Sequence, residues 1–313
     1  MKIHYSFDIF ETIKNPVVTT GSFDGVHLGH QVILNRINTI AREINGESVL
    51  ITFHPHPRKI LFPDTLGKEL QLINSQKEKI DALRKTGINH LFIIEFTLEF
   101  AKTSSVEFIE NILLKKLNVK KVVIGFNHHF GHNREGDFDK LSELGIKHHF
   151  DFEEIPQQDV ENEAVSSTKI RKAIKEGNIQ RANAYLESEY PIICNLKSGN
   201  LFYKNLGFST YNCIIDEDTK LTPPNGTYVI SVHNSIGYYA KGIAIINSNL
   251  GDSDSFFKNI EIALFDDEPS DIQKYEYKVL FHKLIRNNIN FTSSSDLKNM
   301  INEDIEYIKE LIY

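Results

Sequence analysis

The stretch that most constrains the fold runs from Val17 to His30 and reads VVTTGSFDGVHLGH. It begins with a β-branched run typical of a strand, passes Gly21 and Gly25, and leads from Leu28 into apolar residues spaced three and four apart. A strand, a glycine loop and a helix in this order present free backbone N–H groups to a phosphate. The stretch therefore predicts a phosphate-binding loop in an α/β fold.

Two histidines flank the predicted start of this helix. His27 and His30 are three residues apart, so they lie on one face of the first helical turn. Imidazole groups, which are neutral or cationic near neutral pH, suit chemistry on the phosphates of a nucleoside triphosphate. The spacing alone leaves open the alternative of two solvated histidines beside a common glycine loop.

The composition limits the class of protein. The 313 residues suffice for about two domains, with 41% hydrophobic and 25% charged residues, as in water-soluble globular proteins. A net charge of −7 argues against a general nucleic-acid partner. Residues 1–14 contain no apolar signal-peptide core, and no apolar run approaches about 18 residues. The two cysteines form no disulfide framework, so we expect a cytoplasmic protein without membrane contact.

Three further apolar runs, 49–53, 90–96 and 122–124, predict buried strands. Helical patterns at 75–86 and 104–113 alternate with them, which predicts a Rossmann-like, doubly wound parallel sheet. His54 and His56 stand among prolines after the first of these runs, at the strand end where ligands bind in such sheets. A stiff surface loop without a function is the alternative for these two histidines.

Two later segments contain candidate ligand-binding groups. Residues 125–137 include His128, His129 and His132, but no Cys or carboxylate stands at a ligand-like spacing among them, which disfavours a zinc site. Residues 165–171 place three hydroxyl residues at a helix start and Arg171 one turn later. Such hydroxyls and an arginine can clamp a phosphate, although helix capping alone also accounts for the hydroxyls.

From about Glu187 the pattern changes to short alternating strands, at 191–196, 228–232 and 260–265, with a helical pattern at 296–312. This predicts a mainly antiparallel β-barrel closed by a terminal helix. We therefore expect two domains, 1–186 and 187–313.

The string GSFDGVHLGH resembles the signature of the bacterial riboflavin kinase/FAD synthetase family and contains the HxGH element of the wider nucleotidyltransferases. Similar blocks follow in order at 54–58 (HPHPR), 125–136 and 166–171 (SSTKIR). The resemblance implies an FMN adenylyltransferase domain with His27, His30 and Arg171 as catalytic residues. The implied ATP-binding residues are Gly21, Phe23, Asp24, Gly25, Gly29, His56, Ser166, Ser167 and Thr168. The implied flavin-binding residues are Asn127, Phe130 and Arg134.

The second half resembles the riboflavin kinase barrel of the same family. LGFSTYN at 206–212 stands where the family has LGFPTAN, which implies Mg-ATP binding by Thr210 and Asn212. Glu261 aligns with the catalytic base. The family's glycine-rich GxGxGR reads GNLFYK at 199–204, without two glycines and the arginine. Because a phosphate cradle needs close backbone approach and positive charge, this departure predicts impaired kinase activity.

The resemblance implies the substrates and products ATP, FMN, riboflavin and FAD, the cofactor Mg²⁺, and a monomer or weak homo-oligomer. Two alternatives stay open. One is a nucleotidyltransferase of the HxGH group with another substrate, and the other is a non-catalytic flavin or nucleotide sensor.

Overall fold

The computed structural model describes residues 1–8, 10–126, 128–157, 159–160, 163–247, 259–265, 272–287 and 293–312. The chain forms two compact units. The first unit consists of residues 1–70 and 79–166, and the second consists of residues 71–78 and 167–313.

The first unit is built on a parallel sheet of six strands with the order β1-β4-β3-β2-β5-β6. The strands are β1 (Lys2–His4), β2 (Val17–Thr20), β3 (Ser48–His54), β4 (His90–Glu95), β5 (Lys121–Gly125) and β6 (Asp151–Ile155). The chain runs outward from β2 to β4 and returns to β5 on the other side of β2. The predicted doubly wound sheet is confirmed, and its topological switch point, where such sheets bind ligands, lies between β2 and β5.

The helices of the first half cover both faces of this sheet. They are α1 (Leu28–Glu43), α2 (Pro57–Leu61), α3 (Gln76–Lys85), α4 (Ser105–Glu107), which continues as a π-helix (Phe108–Lys116), and α5 (Phe138–His148). One buried cluster includes Val17, Leu50, Leu91 and Val123 of the strands with Leu34 and Ile37 of α1. The other includes Val18, Ile51, Phe92 and Val122 with Ile109 and Leu144. Successive strand residues therefore face opposite cores, as in a sheet covered by helices on both sides. A small ribbon of β7 (Asp159–Val160) and β8 (Glu163–Ala164) follows.

The second unit contains a closed barrel with the strand order β10-β13-β12-β11-β14-β9. Its strands are β9 (Tyr190–Ser198), β10 (Tyr211–Ile214), β11 (Gly226–Asn234), β12 (Tyr239–Asn247), β13 (Asn259–Leu264) and β14 (Glu276–Asn287). All neighbouring strands are antiparallel. The predicted antiparallel barrel is confirmed.

Among the described residues of the second unit, the α-helices are α6 (Ser167–Lys175), α7 (Ile179–Leu186), α8 (Leu201–Asn205) and α9 (Ser294–Ile312). The terminal helix α9 packs Leu297, Ile301 and Ile308 into a cluster with Val229 and Ile243 of the barrel. None of the described helices combines the length and apolar character needed to cross a membrane.

The two cysteines differ from the sequence-based expectation. Cys194 of β9 and Cys213 of β10 form a disulfide. These strands are antiparallel neighbours, and the two Cα atoms are 5.7 Å apart, which is a distance that a disulfide spans. Strand pairing brings the cysteines together although they are 19 residues apart in the sequence.

A fully buried ion pair joins residues 71–78 to the rest of the second unit. The Nζ atom of Lys220 lies 2.6 Å from Oε2 of Glu78, and neither side chain is exposed. Lys220 also donates hydrogen bonds to the carbonyl oxygens of Ile73 and Pro191, at 2.6 and 2.8 Å. Its charge is therefore compensated without water, which is the condition for burying a lysine.

We expect the stability of the first unit to fall as the pH drops below about 6.5, because of two neighbouring imidazoles, the buried His90 and the half-buried His4. His4 Nε2 lies 3.0 Å from His90 Nδ1, and His90 Nε2 lies 3.4 Å from Glu47. Burial lowers the pKa of His4, as does the neighbouring His90. Burial also lowers the pKa of His90 below 6.5, and Glu47 offsets this only in part. Since the folded pKa values lie below the unfolded value, the unfolded chain takes up protons first, and this stabilisation is lost on acidification.

Urea denaturation at pH 7.5, 6.5 and 5.5 measures this effect. The variant His90→Gln, which cannot titrate, should lose less stability between pH 7.5 and 5.5 than the wild type. Lys2 and Glu11 also face this pair, so the ionic strength is held constant. An equal loss in both proteins would contradict the assignment to His4 and His90.

Candidate active site at the carboxyl edge of the parallel sheet

The loop between β2 and α1 has an unusual backbone. Phe23, Gly25 and Val26 all have positive φ angles, at 49°, 93° and 43°. A β-branched residue rarely adopts this conformation, and backbone strain of this kind concentrates at functional sites. The carbonyl oxygen of Ser22 accepts a hydrogen bond from Thr52 Oγ1 of β3 at 3.1 Å, which fixes the loop to the neighbouring strand end.

His27 and His30 lie at the start of α1 with their rings in contact. The carbonyl oxygen of His27 accepts hydrogen bonds from the backbone N–H groups of His30 and Gln31, at 2.7 and 3.0 Å. The two imidazole rings stack with centroids 3.7 Å apart, and the Phe23 ring lies 4.6 Å from the ring of His30. The two histidines therefore share one face of the first turn, as the spacing predicts.

His30 is held as a neutral imidazole. Its Nδ1 atom is buried and has no hydrogen-bond partner among the described residues. Burial holds the pKa of His30 well below its usual value, and His27 and Lys79 lower it further. Buried polar atoms are almost always paired, so an unpaired nitrogen here points to a ligand that supplies the partner.

Lys79 places a positive charge under the same loop. Its Nζ atom lies 3.4 Å from the carbonyl oxygen of Ser22, 3.4 Å from Thr52 Oγ1 and 3.5 Å from the carbonyl oxygen of Phe53. The side chain is buried, and its charge contributes to the lowered pKa of His30. A buried cation at this edge favours an anionic ligand. Lys79 could not be identified from the sequence, because the helical pattern of α3 singles out only its apolar residues.

The loop after β5 is folded tightly against itself. The backbone N–H and carbonyl groups of Phe130 pair with those of Gly136, at 2.9 Å in both directions. A side chain at Gly136 would come within 2.7 Å of the Phe130 ring, so this position requires glycine. Arg134 is exposed and has a positive φ angle of 61°. Asn127, the predicted flavin-binding residue, lies outside the described residues.

His128 of this loop reaches the glycine loop after β2. A Cβ atom at Gly21 would lie 3.9 Å from the His128 ring. Burial lowers the pKa of His128 to about 4, with contributions from His129 and Arg134. In the described part of the chain, no group of three or more His, Cys, Asp or Glu side chains is arranged to hold a metal ion. His128 has no function predicted from the sequence. The feature that could have identified it is its position just after β5, which borders the switch point of the sheet.

Three phenylalanines form a cluster at the ends of β3 and β4. The ring centroids of Phe53, Phe96 and Phe100 lie 5.4 to 5.8 Å apart. Aromatic rings at this spacing offer faces and edges on which a planar ring system can stack.

The remaining predicted nucleotide-binding residues lie in several segments of the chain. Asp24 is buried in the glycine loop, and Gly29 lies in the first turn of α1. His56 caps α2, where its Nδ1 atom accepts a hydrogen bond from the backbone of Arg58 at 3.2 Å. Ser166 is the last residue of the first unit.

Ser167, Thr168 and Arg171 lie on α6, which belongs to the second unit. The Arg171 Nε atom donates a hydrogen bond to the carbonyl oxygen of Gln71 at 2.9 Å. The predicted role of these three residues in binding phosphate stays a prediction.

The predicted kinase residues lie close together in the barrel. Asn212 of β10 and Glu261 of β13 are directly opposed in the strand pairing, and Thr210 comes just before β10. Gly199 packs against Thr210 so closely that a Cβ atom would lie 2.1 Å from its hydroxyl oxygen. Directly opposed residues project to the same face of a sheet, so the structure brings Asn212 and Glu261 together.

Glu261 is covered by the segment that replaces the glycine-rich sequence. Its side chain is 1% exposed, and both carboxylate oxygens lie 3.2 Å from the backbone nitrogen of Asn200, which donates to them. Asn200 also caps the short helix α8 through Phe202. Tyr203 of α8 is buried, and both burial and the charge of Glu261 raise the pKa of its hydroxyl.

Two family profiles match the chain. The profile of the FAD synthetase family matches residues 10–169, and that of the riboflavin kinase family matches residues 186–312.

Similar proteins extend over nearly the full chain. Two proteins named bifunctional riboflavin kinase/FMN adenylyltransferase from Buchnera aphidicola, of the subspecies Acyrthosiphon pisum and Schizaphis graminum, are 32% and 34% identical to this chain. The alignments cover 97% and 95% of this chain, and 95% and 94% of those proteins. An Escherichia coli K12 protein of the same name is 28% identical, over 92% of this chain and 90% of its own.

A solved structure shares the architecture. A crystal structure titled as a macrolide-efflux protein from Streptococcus pneumoniae matches with a TM-score of 0.87 and 26% identity, and the match covers 98% of each chain.

Proposed function

The chain belongs to the bifunctional riboflavin kinase/FMN adenylyltransferase family, and we propose that it transfers AMP from ATP to FMN to give FAD and pyrophosphate. One observation on the chain's own residues carries this proposal. The stacked pair of His27 and His30 starts a helix behind a strained glycine loop, and the buried Nδ1 atom of His30 has no partner in the described residues. A phosphate group of a nucleotide would satisfy this arrangement.

The reaction needs no nucleophile from the protein. An oxygen of the FMN phosphate attacks the α-phosphorus of ATP, a new P–O bond forms, and the bond between the α-phosphorus and the bridging oxygen breaks. The bonding electrons leave with pyrophosphate. Positioning of the two phosphates and stabilisation of the developing charge then account for catalysis.

His27 and His30 contact the triphosphate in this proposal. The first-turn N–H groups of α1 add hydrogen bonds, and the positive end of the helix dipole favours the negative charge. The glycine loop and the first turn of α1 contain the other proposed ATP-binding residues, Gly21, Phe23, Asp24, Gly25 and Gly29. Lys79 supports the glycine loop from below, because its ammonium group lies next to the carbonyl oxygen of Ser22.

The flavin and the leaving group are assigned to other segments. Phe53, Phe96 and Phe100 provide an aromatic surface for the isoalloxazine ring, and Asn127, Phe130 and Arg134 complete the flavin side. His56 contributes to the nucleotide site. The departing pyrophosphate is bound by Ser166, Ser167, Thr168 and Arg171. Hydroxyl groups and a guanidinium at the start of a helix are suited to binding phosphate oxygens.

A chromatographic product assay tests this function. The protein is incubated with Mg²⁺ and ATP, in parallel with FMN and with riboflavin, and the flavin products are separated. We expect FAD and pyrophosphate from FMN. Binding of ATP and FMN without turnover would favour a sensor. Turnover of ATP with another phosphorylated substrate, but not with FMN, would favour a different nucleotidyltransferase.

Phosphorylation of riboflavin by the barrel is the second candidate function. The proximity of Asn212 and Glu261, with Thr210 just before β10, favours it. The oxygen donors of Thr210 and Asn212 are of the type that Mg²⁺ prefers, so these residues fit a magnesium ion that arrives with ATP. Bound there, Mg²⁺ would neutralise phosphate charge. Glu261 would accept the proton of the ribityl hydroxyl.

We expect Glu261→Gln to reduce FMN formation from riboflavin about 100-fold or more, because the amide cannot accept that proton. FAD formation from FMN should stay at the wild-type rate, since Glu261 belongs to the barrel. The exposed residue Glu303 of α9 provides the control Glu303→Gln, which should leave both reactions unchanged. Wild-type FMN formation by Glu261→Gln would exclude Glu261 as the base. No FMN from the wild type, together with FAD from FMN, would show that the barrel is inactive.

We assign adenylyl transfer to the domain 1–186 and riboflavin phosphorylation to the domain 187–313. The protein then acts in the cytoplasm as a monomer or weak homo-oligomer, without a nucleic-acid partner. The net charge of −7 supports the last point, because nucleic-acid-binding surfaces are basic.

A further inference from the structure

His128 lies where two loops of the site meet. The loop after β2 contains Gly21, the loop after β5 contains His128, and these strands are neighbours on either side of the switch point. A Cβ atom built at Gly21 would lie 3.9 Å from the His128 ring, so the ring lies next to the glycine loop. Any ligand that occupies the switch point lies close to this imidazole.

The Nε2 atom of His128 is buried and has no hydrogen-bond partner among the described residues. The position of the ring follows from its surroundings. The backbone N–H of His128 donates to the carbonyl oxygen of Gly125 at 3.0 Å, and the ring lies nearly parallel to that of Phe130, with centroids 6.4 Å apart. A phenyl ring would fill the same space without burying an unpaired nitrogen, which costs free energy. The nitrogen therefore indicates a function in the bound state.

The charges around His128 favour a phosphate as its partner. The Arg134 guanidinium contributes to the lowered pKa of His128, and Lys79 lies under the adjacent glycine loop. Burial keeps the imidazole neutral at neutral pH, with a pKa of about 4. A neutral imidazole with its proton on Nε2 donates a hydrogen bond, and phosphate oxygens are strong acceptors.

We propose that His128 is a substrate-binding residue of the adenylyl transfer, whose Nε2–H group donates a hydrogen bond to a phosphate oxygen where the two substrates react. This inference rests on the proposed function. The phosphate belongs either to ATP or to FMN, since the glycine loop and the loop after β5 meet at this residue. The hydrogen bond orients that phosphate for attack and stabilises the charge that develops during transfer.

Two variants of His128 test the proposal. His128→Phe keeps an aromatic ring but removes the donor, and His128→Gln keeps a donor on a side chain of similar length. We expect His128→Phe to lower kcat/KM for FAD formation about 10- to 100-fold. His128→Gln should recover most of this loss. His129→Phe, at the exposed neighbouring histidine, is the matched control and should stay within about twofold of the wild type.

Thermal unfolding separates a binding role from a structural role. Without substrates, His128→Phe should unfold at the same temperature as the wild type or a higher one, because it removes an unpaired buried nitrogen. A structural role would instead lower the unfolding temperature together with the activity. In His128→Phe, the substrate whose KM rises identifies the source of the phosphate. An effect on KM for ATP alone indicates a nucleotide phosphate, and an effect on KM for FMN alone indicates the flavin phosphate.

Wild-type kcat/KM in His128→Phe would overturn the proposal. So would equal losses in both variants accompanied by lower unfolding temperatures. These outcomes differ from a failure of the proposed function, in which the wild type itself makes no FAD. In that case calorimetric titration with ATP and with FMN applies the same test to binding, and equal affinities in the wild type and His128→Phe would overturn the assignment.

Discussion

Replacing His30 by alanine will reduce the rate of FAD formation about 100-fold or more and leave the fold intact. In the proposed function, the substitution removes a fixed polar group that contacts the triphosphate. The imidazole of His30 is fixed by stacking against His27 and Phe23, and its Nδ1 atom has no partner in the described chain. Removal of one such preorganised group typically costs a factor of 10² to 10³ in kcat.

Steady-state kinetics with FMN and ATP measure the loss, and circular dichroism checks the fold. We expect the effect mainly on kcat, because charge on the transferred phosphate develops in the transition state. His149→Asn at the exposed end of α5 is a suitable control, since His149 has the left-handed backbone conformation that asparagine tolerates. Unchanged kcat in His30→Ala would refute the assigned role.

Replacing Glu78 by alanine will destabilise the second unit by about 3–5 kcal/mol, because it leaves the Lys220 ammonium buried without its counter-charge. Glu78 also accepts hydrogen bonds from the backbone N–H groups of Ser75 and Ile193, at 2.9 and 2.7 Å. The substitution therefore leaves two further polar groups unpaired. Chemical denaturation, followed by the kinase activity or by tyrosine fluorescence, measures the change in the free energy of unfolding.

The preceding residue supplies the matched control. Lys77 forms an ion pair with Glu276, but its side chain is 60% exposed, so Lys77→Ala should cost less than about 1 kcal/mol. The double variant Glu78→Leu with Lys220→Met should recover much of the stability that Glu78→Ala loses, because apolar residues of similar size can replace a buried pair. Similar losses for Lys77→Ala and Glu78→Ala would contradict this account of the buried pair.

Several strands of the barrel could be predicted from local sequence patterns. The runs around 191–196, 228–232 and 260–265 coincide with parts of β9, β11 and β13, and the terminal helix was predicted within two residues of its observed start at Ser294. Pairing across the barrel was not predictable, since it joins strands distant in the sequence. The disulfide between Cys194 and Cys213 depends on this pairing.

The glycine loop and the two histidines were the part of the site that local sequence could predict. Their geometry depends on one turn of one helix, and the stacking of His27 on His30 follows from a separation of three residues. Lys79 and His128 are different, because each reaches the glycine loop from another segment of the chain. Contacts between distant segments of the chain leave no periodic pattern in the sequence.

Local sequence patterns were sufficient to predict the alternation of strands and helices in the first half, the antiparallel strands of the second half, and the position of the glycine loop before α1. These features depend on residues close together in the chain, where backbone preferences and apolar periodicity act directly. The packing of residues 71–78 with the second unit, and the positions of Lys79 and His128 at the glycine loop, could not be predicted in this way. They depend on groups that are far apart in the sequence and that become neighbours only when the sheet and the barrel have formed, and it is these groups that stabilise a buried charge or imidazole.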